Sequence, residues 1–261
     1  MRFLLNLVVS CLFVASVPCL DAQTPAAAPV AAVDSIRLSI ESAVDSGDLV
    51  GVEASVALID RALALYPADA MLLHYRGYAL YRAGTLVFGR YGSGRARPYF
   101  EQAANVLEPL SRGTTIPETH ALLSAVYGMQ IATSRVPMVA GIRLGSKSNS
   151  AMDRALAAAP QNPRAWIIRG IGAFNTPKSF GGGLGNAASY LKKGLTLLDT
   201  DAPAAPLPRW GRADAHAWLG QVYAKEDRRD EARAEFQAAL ALQPRNAWIT
   251  TVLLPQLDKP R

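Results

Sequence analysis

One eight-residue phrase occurs twice. HALLSAVY spans 120–127 and HAWLGQVY spans 216–223, and five of the eight positions are identical. Recurrence constrains a fold more than any isolated motif does. A repeated supersecondary unit must stack on its neighbours to bury its apolar face. The intervening pattern is helical: apolar residues recur at three and four from Asp34 onward, as at Val56, Ile59 and Leu63, and strand-like alternation is nearly absent. Pro67, Pro160 and Pro244 mark helix ends, because proline lacks an amide hydrogen and restricts the residue before it.

Around the second phrase the match lengthens. Leu219-Gly220, Tyr223, then Ala232, Phe236, Ala239 and Pro244 stand at the spacing L-G-x2-Y, A-x3-F, P. Residues 213–246 therefore resemble one complete tetratricopeptide repeat, with His216 where Trp is usual. Looser units follow the same frame. One has Gly77, Gly84, Ala96 and Phe100; another His120, Leu123, Ser124 and Tyr127; another Trp166, Gly170, Ala187 and Leu191. The resemblance implies an all-α solenoid, a right-handed superhelix of about five antiparallel helix pairs. The units are expected at 35–69, 70–112, 117–162, 163–200 and 213–246, with a capping helix at 247–254, in a solenoid spanning 35–261. Gly77, Ser124, Gly170 and Gly220 are small enough to let the helices of a pair approach closely.

The N-terminus reads as an export signal at 1–22. Arg2 precedes an apolar run from Phe3 to Val17, Pro18 breaks it, and cleavage is expected after Ala22. Residues 23–34, rich in Ala and Pro, read as a flexible linker. Both cysteines, Cys11 and Cys19, lie in the signal, so the mature chain has no thiol for disulfides, nucleophiles or metal. No apolar run is long enough to span a bilayer, which argues against an integral membrane protein. An exported chain of net charge +6 meets anionic lipid, envelope polymer or an acidic protein face rather than nucleic acid.

Three stretches interrupt the regular units. Residues 85–95, 133–147 and 175–186 are glycine-bearing, fall between first and second helices, and read as long loops along one edge. They hold Arg90, Arg95, Arg135, Arg143, Lys147 and Lys178 and no acidic residue, a candidate docking edge for an anionic group. The run 180–186 (FGGGLGN) lacks the G-x-x-x-x-G-K-[ST] frame and reads as a tight turn.

The second candidate site is the inner groove. By the resemblance, first helices line it with Met71, His74, Tyr78 and Tyr81 in one unit and Arg164, Ile167, Ile171 and Phe174 in another. Ala121, Ala125, Ala217 and Ala224 make a narrower floor between these walls. A helix or extended peptide with apolar anchors fits such a groove, unless the chain's own loops fill it. No HExxH pair, nucleophile elbow or carboxylate pair supplies chemistry, so no catalytic residue, metal or cofactor is expected. The function implied is a non-enzymatic periplasmic adaptor for a protein or peptide of the cell envelope. The alternative is an accessory protein of a solute transporter, holding a small anionic molecule near the basic loops.

Overall fold

Prolines and short polar side chains set the helix starts. Pro117, Pro137 and Pro163 each occupy the first turn of a helix, where the missing amide hydrogen is not needed. The Asp69 and Asn162 carboxyl and amide oxygens accept from Leu72 N–H at 2.9 Å and Ala165 N–H at 3.2 Å, capping two helices. The structure is a computed structural model that describes residues 27–259. The signal at 1–22 and its cleavage site, with residues 23–26 of the linker, lie outside the described residues.

All regular elements among the described residues are helical. They are α1 (Val30–Asp45), α2 (Leu49–Leu65), α3 (Ala70–Tyr91), α4 (Ser93–Leu110), α5 (Pro117–Ala132), α6 (Pro137–Ala158), α7 (Pro163–Asn175), α8 (Leu184–Leu198), α9 (Arg212–Lys225) and α10 (Arg229–Leu242). A π turn at Ile249–Leu253 runs into α11 (Leu254–Leu257) and packs on α10 through buried Ile249, Leu253 and Leu257. Each odd helix packs on the even helix that follows it, and the odd helices α3, α5, α7 and α9 also touch in succession. This is an all-α solenoid of stacked helix pairs.

Helix α1 opens inside the stretch read as a linker. Pro29 stands at its N-cap, and Val33, Ile36 and Ile40 are buried. The alanines at 31 and 32 are good helix formers that carry no apolar periodicity, so the pattern alone hides the start.

Two of the three supposed loops are helix. α3 runs through Tyr91 and α4 begins at Ser93, with Gly92 turning the chain at a φ of 77°. α5 and α6 are joined by only 133–136. Gly89, Gly94, Gly141 and Gly145 sit inside helices in open space, where a glycine costs only about 1 kcal/mol. Buried Val87, Ala140 and Leu144 offset that. The third stretch is a loop over 176–183, with a short 3-10 turn at Lys178–Phe180, and its last residues open α8.

The glycines of the pairs act as expected. A Cβ on Gly77 would lie 2.5 Å from the Leu107 side chain, and one on Gly220 would lie 2.5 Å from Phe236. The core divides in two. One cluster gathers α1 to α6 around Tyr75, Leu72, Phe100 and Leu122. The other gathers α7 to α11 around Ile167, Leu191, Val222 and Phe236. A small cluster around Ala121, Ala155 and Ala165 bridges them.

Candidate functional site

The inner face is not a continuous open groove. His74, Tyr78, Arg164 and Ile167 are buried, while Met71, Tyr81, Ile171 and Phe174 are half-buried. Much of the cover comes from the segment 199–211 between α8 and α9, which lies against α3 and α7 as a strap. The Trp210 indole stacks on the Tyr78 ring, centroids 5.4 Å apart and 11° between planes. The Tyr75 hydroxyl donates to the Pro206 carbonyl. Gly211 lies so close to Ile167 that a Cβ there would be 3.0 Å from its side chain.

Arg164, expected to face a ligand, is 1% exposed and holds the strap. Its Nη1 and Nη2 donate to the two Asp201 carboxylate oxygens at 2.8 and 3.0 Å, and its Nε donates to Glu118 Oε1 at 3.1 Å. Asn162 Nδ2 donates to the same Glu118 oxygen at 2.7 Å. The two-toothed geometry suits a guanidinium, and the second carboxylate compensates burial. On α3, His74 Nδ1 is hydrogen-bonded to Thr119 Oγ1 at 3.0 Å. Complete burial pushes the imidazole down to about 4, against the opposing pull of Glu118, so it is neutral at pH 7.

Past Trp210 the strap leads into α9, where Arg82 donates to Asp214 at 3.2 Å from the far side of the groove. Around this pair, Glu41, Asp45, Tyr78, Trp210 and Gln243 line a cavity of about 190 Å³. Burial pushes the Asp45 carboxyl up to about 6, and it raises Glu41 too, although the Arg37 guanidinium donates to Glu41 at 2.8 Å. The first, second and last helix pairs thus meet across the inner face.

The second half holds a half-buried aromatic run. Phe174 on α7 meets Trp218 on α9 edge to face at 5.3 Å, and Trp218 meets Trp248 at 5.5 Å. All three are half-buried.

Of the basic residues, Arg135 and Lys178 lie in turns between paired helices, Arg90 ends α3, Arg95 begins α4, and Arg143 and Lys147 lie within α6; not all are free. The Arg90 guanidinium donates to the Gly47 carbonyl, Arg95 lies 5.1 Å over the Tyr91 ring, and Lys147 sits 3.6 Å from Glu108. Arg135, Arg143 and Lys178 are exposed. Large apolar side chains stand among them: Met138, Val139, Ile142 and Phe180 are exposed.

Several of these residues escaped the sequence pattern. Trp210 and Asp201 lie outside every repeat, in DAPAAPLPRW, where nothing periodic signals packing. The large Trp at the end of a proline-rich connector was the available sign. Trp218 follows Ala217, which the repeat frame gives to the narrow floor, and the frame assigns Trp218 itself no place in the groove. Met138 and Ile142 were hidden by reading 133–147 as loop. Among the described residues, no group of three or more His, Cys, Asp or Glu is placed to hold a metal ion, and no helix is long and apolar enough to cross a membrane.

Comparison with known proteins bears on this geometry. Residues 213–246 match the model of the tetratricopeptide repeat family. The structure is similar to that of a thermophilic tetratricopeptide repeat protein of Thermus thermophilus, with a TM-score of 0.59 at 17% identity over 88% of this chain and 99% of that one. It is also similar to the HusA haemophore from Porphyromonas gingivalis, with a TM-score of 0.60 at 25% identity over 73% of this chain and 92% of that one. No curated protein matches the chain in sequence.

Proposed function

Since the chain is a tetratricopeptide repeat protein in its fold and in the sequence of its last unit, we propose that it is a non-catalytic interaction module. Its partner is a polypeptide of the cell envelope, reached by export through residues 1–22. The observation that carries the reading is the half-buried, mutually packed aromatic run Phe174, Trp218 and Trp248 beyond the strap. Half-buried aromatics, Phe174 and Trp218 on adjacent first helices and Trp248 just before the C-terminal turn, offer rigid apolar anchors at little entropic cost, which is what peptide recognition in a helical groove uses. The strap restricts binding to this half, so the partner engages a short segment, not the whole superhelix.

The test is a cross-linked pull-down of tagged protein from its native envelope fraction, with Trp218→Ala and a triple Arg90→Glu, Arg135→Glu, Lys178→Glu variant alongside. One protein enriched by wild type and lost with Trp218→Ala supports the groove. The same protein lost only in the triple variant moves the contact to the basic edge. No enrichment at all removes the reading.

A second reading rests on one finding, the likeness to a protein named as a haemophore. On it, the chain carries a small anionic ligand near the basic turns, and haem, an apolar ring with carboxylates, is the first candidate. Titration of haem followed by absorbance tests this: a saturable spectral change supports it, and an additive spectrum contradicts it.

A further inference from the structure

The first two turns of α6 carry apolar side chains on both faces. Ala140 and Leu144 point inward and are buried. On the opposite face Met138, Val139 and Ile142 are 80%, 61% and 79% exposed. Farther along α6 the same outer face holds exposed Ser146, Asn149 and Asp153, the ordinary polar surface of a packed helix. The apolar stripe is therefore confined to the end that projects. Ser124 on α5 meets Ser148 on α6, and beyond that contact α6 reaches back eleven residues to Pro137 while α5 runs eight to Ala132. At the rise of an α-helix, α6 overhangs its partner by about 4.5 Å.

The charge around this overhang has one sign. Arg135 and Arg143 flank it and are exposed. Phe180, 79% exposed, and Lys178 mark the next turn, between α7 and α8. No acidic residue occurs between Asp69 and Glu101, between Glu118 and Asp153, or between Asp153 and Asp199, the stretches that bear the three middle turns. The outer turns differ: Asp45 and Asp48 flank the turn after α1, and Glu226 and Asp227 follow α9. The positive, apolar edge thus belongs to the middle of the solenoid.

A groove is the shape for a peptide; an edge from which single apolar side chains project suits a plane. Basic residues interleaved with exposed Met, Ile and Phe are the chemistry of shallow insertion at the boundary of headgroups and acyl chains. We propose that this edge docks on an anionic phospholipid surface. Met138, Ile142 and Phe180 insert, and Arg135, Arg143 and Lys178 meet phosphates through charge-assisted hydrogen bonds. This holds independently of the partner in the inner face.

Co-sedimentation tests it. The full chain is mixed with vesicles of phosphatidylcholine alone, or of equimolar phosphatidylglycerol and phosphatidylcholine. The quantity read is the extra binding that phosphatidylglycerol confers. Binding through the apolar N-terminal segment is common to every variant and cancels. Met138→Asp with Ile142→Asp, and separately Arg135→Glu with Arg143→Glu, are each expected to lower the charge-dependent partition about tenfold or more. Leu65→Asp, 75% exposed at the far end of α2, is expected to leave it unchanged. Circular dichroism confirms that each variant is folded. The proposal is overturned if phosphatidylglycerol adds no binding, or if the four substitutions leave the increment intact. It is equally overturned if polyglutamate, and not the vesicles, is bound and then lost with the arginine pair, since the occupant is then an acidic polypeptide.

Discussion

The two halves of the inner face are built from the same kind of helix pair and treated oppositely. Where the strap crosses, the residues that the repeat frame assigns to a ligand are covered by the chain itself: Tyr78 lies under Trp210, and Arg164, at the start of α7, grips Asp201. Farther along, between α7 and the C-terminal turn, Phe174, Trp218 and Trp248 pack on one another and remain half-buried. Residues 213–246, which match the family's pattern, lie in this second half. In the first half the equivalent positions pack against an internal segment.

The comparison is broken most severely by Arg164→Ala. It leaves Glu118 buried and Asp201 without its guanidinium, at a loss of about 3–5 kcal/mol. Urea unfolding measures this, and amide exchange in 199–211 is expected to accelerate while α9 and α10 stay protected. Protection of the strap unchanged in a folded variant would show that Arg164 is not its anchor.

The next effect is on pH dependence. His74 is neutral in the fold, with its imidazole pushed down to about 4 by burial, whereas the unfolded chain protonates near 6.5. The unfolded state binds the extra proton, so stability falls as pH drops from about 6.5 to about 4, by about 3 kcal/mol at the limit. Asp45 works the other way. Its carboxyl is raised from 3.8 to about 6 by burial, so the fold holds a proton that the unfolded chain releases, and stability is lost as pH rises through that window. Asp45 is partly solvated, and screening limits its share to about 1 kcal/mol. His74→Gln is expected to abolish the acid-side fall and uncover a small rise on acidification. Denaturation curves at several pH values decide it, and an undiminished fall would assign the effect elsewhere.

The smallest effect probes the second half. Gly220→Ala places a Cβ about 2.5 Å from Phe236 and forces that pair apart, at a cost of about 1–3 kcal/mol. Thermal unfolding reads the loss, and exchange is expected to rise in α9 and α10 but not in the strap. Uniform acceleration would mean that the two halves unfold as one.

Much of the fold was legible because stacking leaves periodic marks. The recurring phrase, the small residues at Gly77 and Gly220 and the prolines after helices each report a local packing demand. The strap leaves no such mark: residues 199–211 touch α3 and α7, far away in sequence, through single contacts. Those contacts make Tyr78 and Arg164 core residues, although the frame gives them to a ligand. The turns at 85–95 and 133–147 were misread for a local reason, since glycines on an exposed helix end look the same in sequence as glycines in a loop.

Hydroxyl-radical footprinting of the folded chain, read residue by residue by mass spectrometry, tests the division most directly. Tyr75 and Tyr78 are expected to be protected, while Phe174, Trp218 and Trp248 are oxidised. Tyr78 labelled as readily as Trp218 would mean that the strap does not cover the first half in solution, and the contrast between the halves would fall with it.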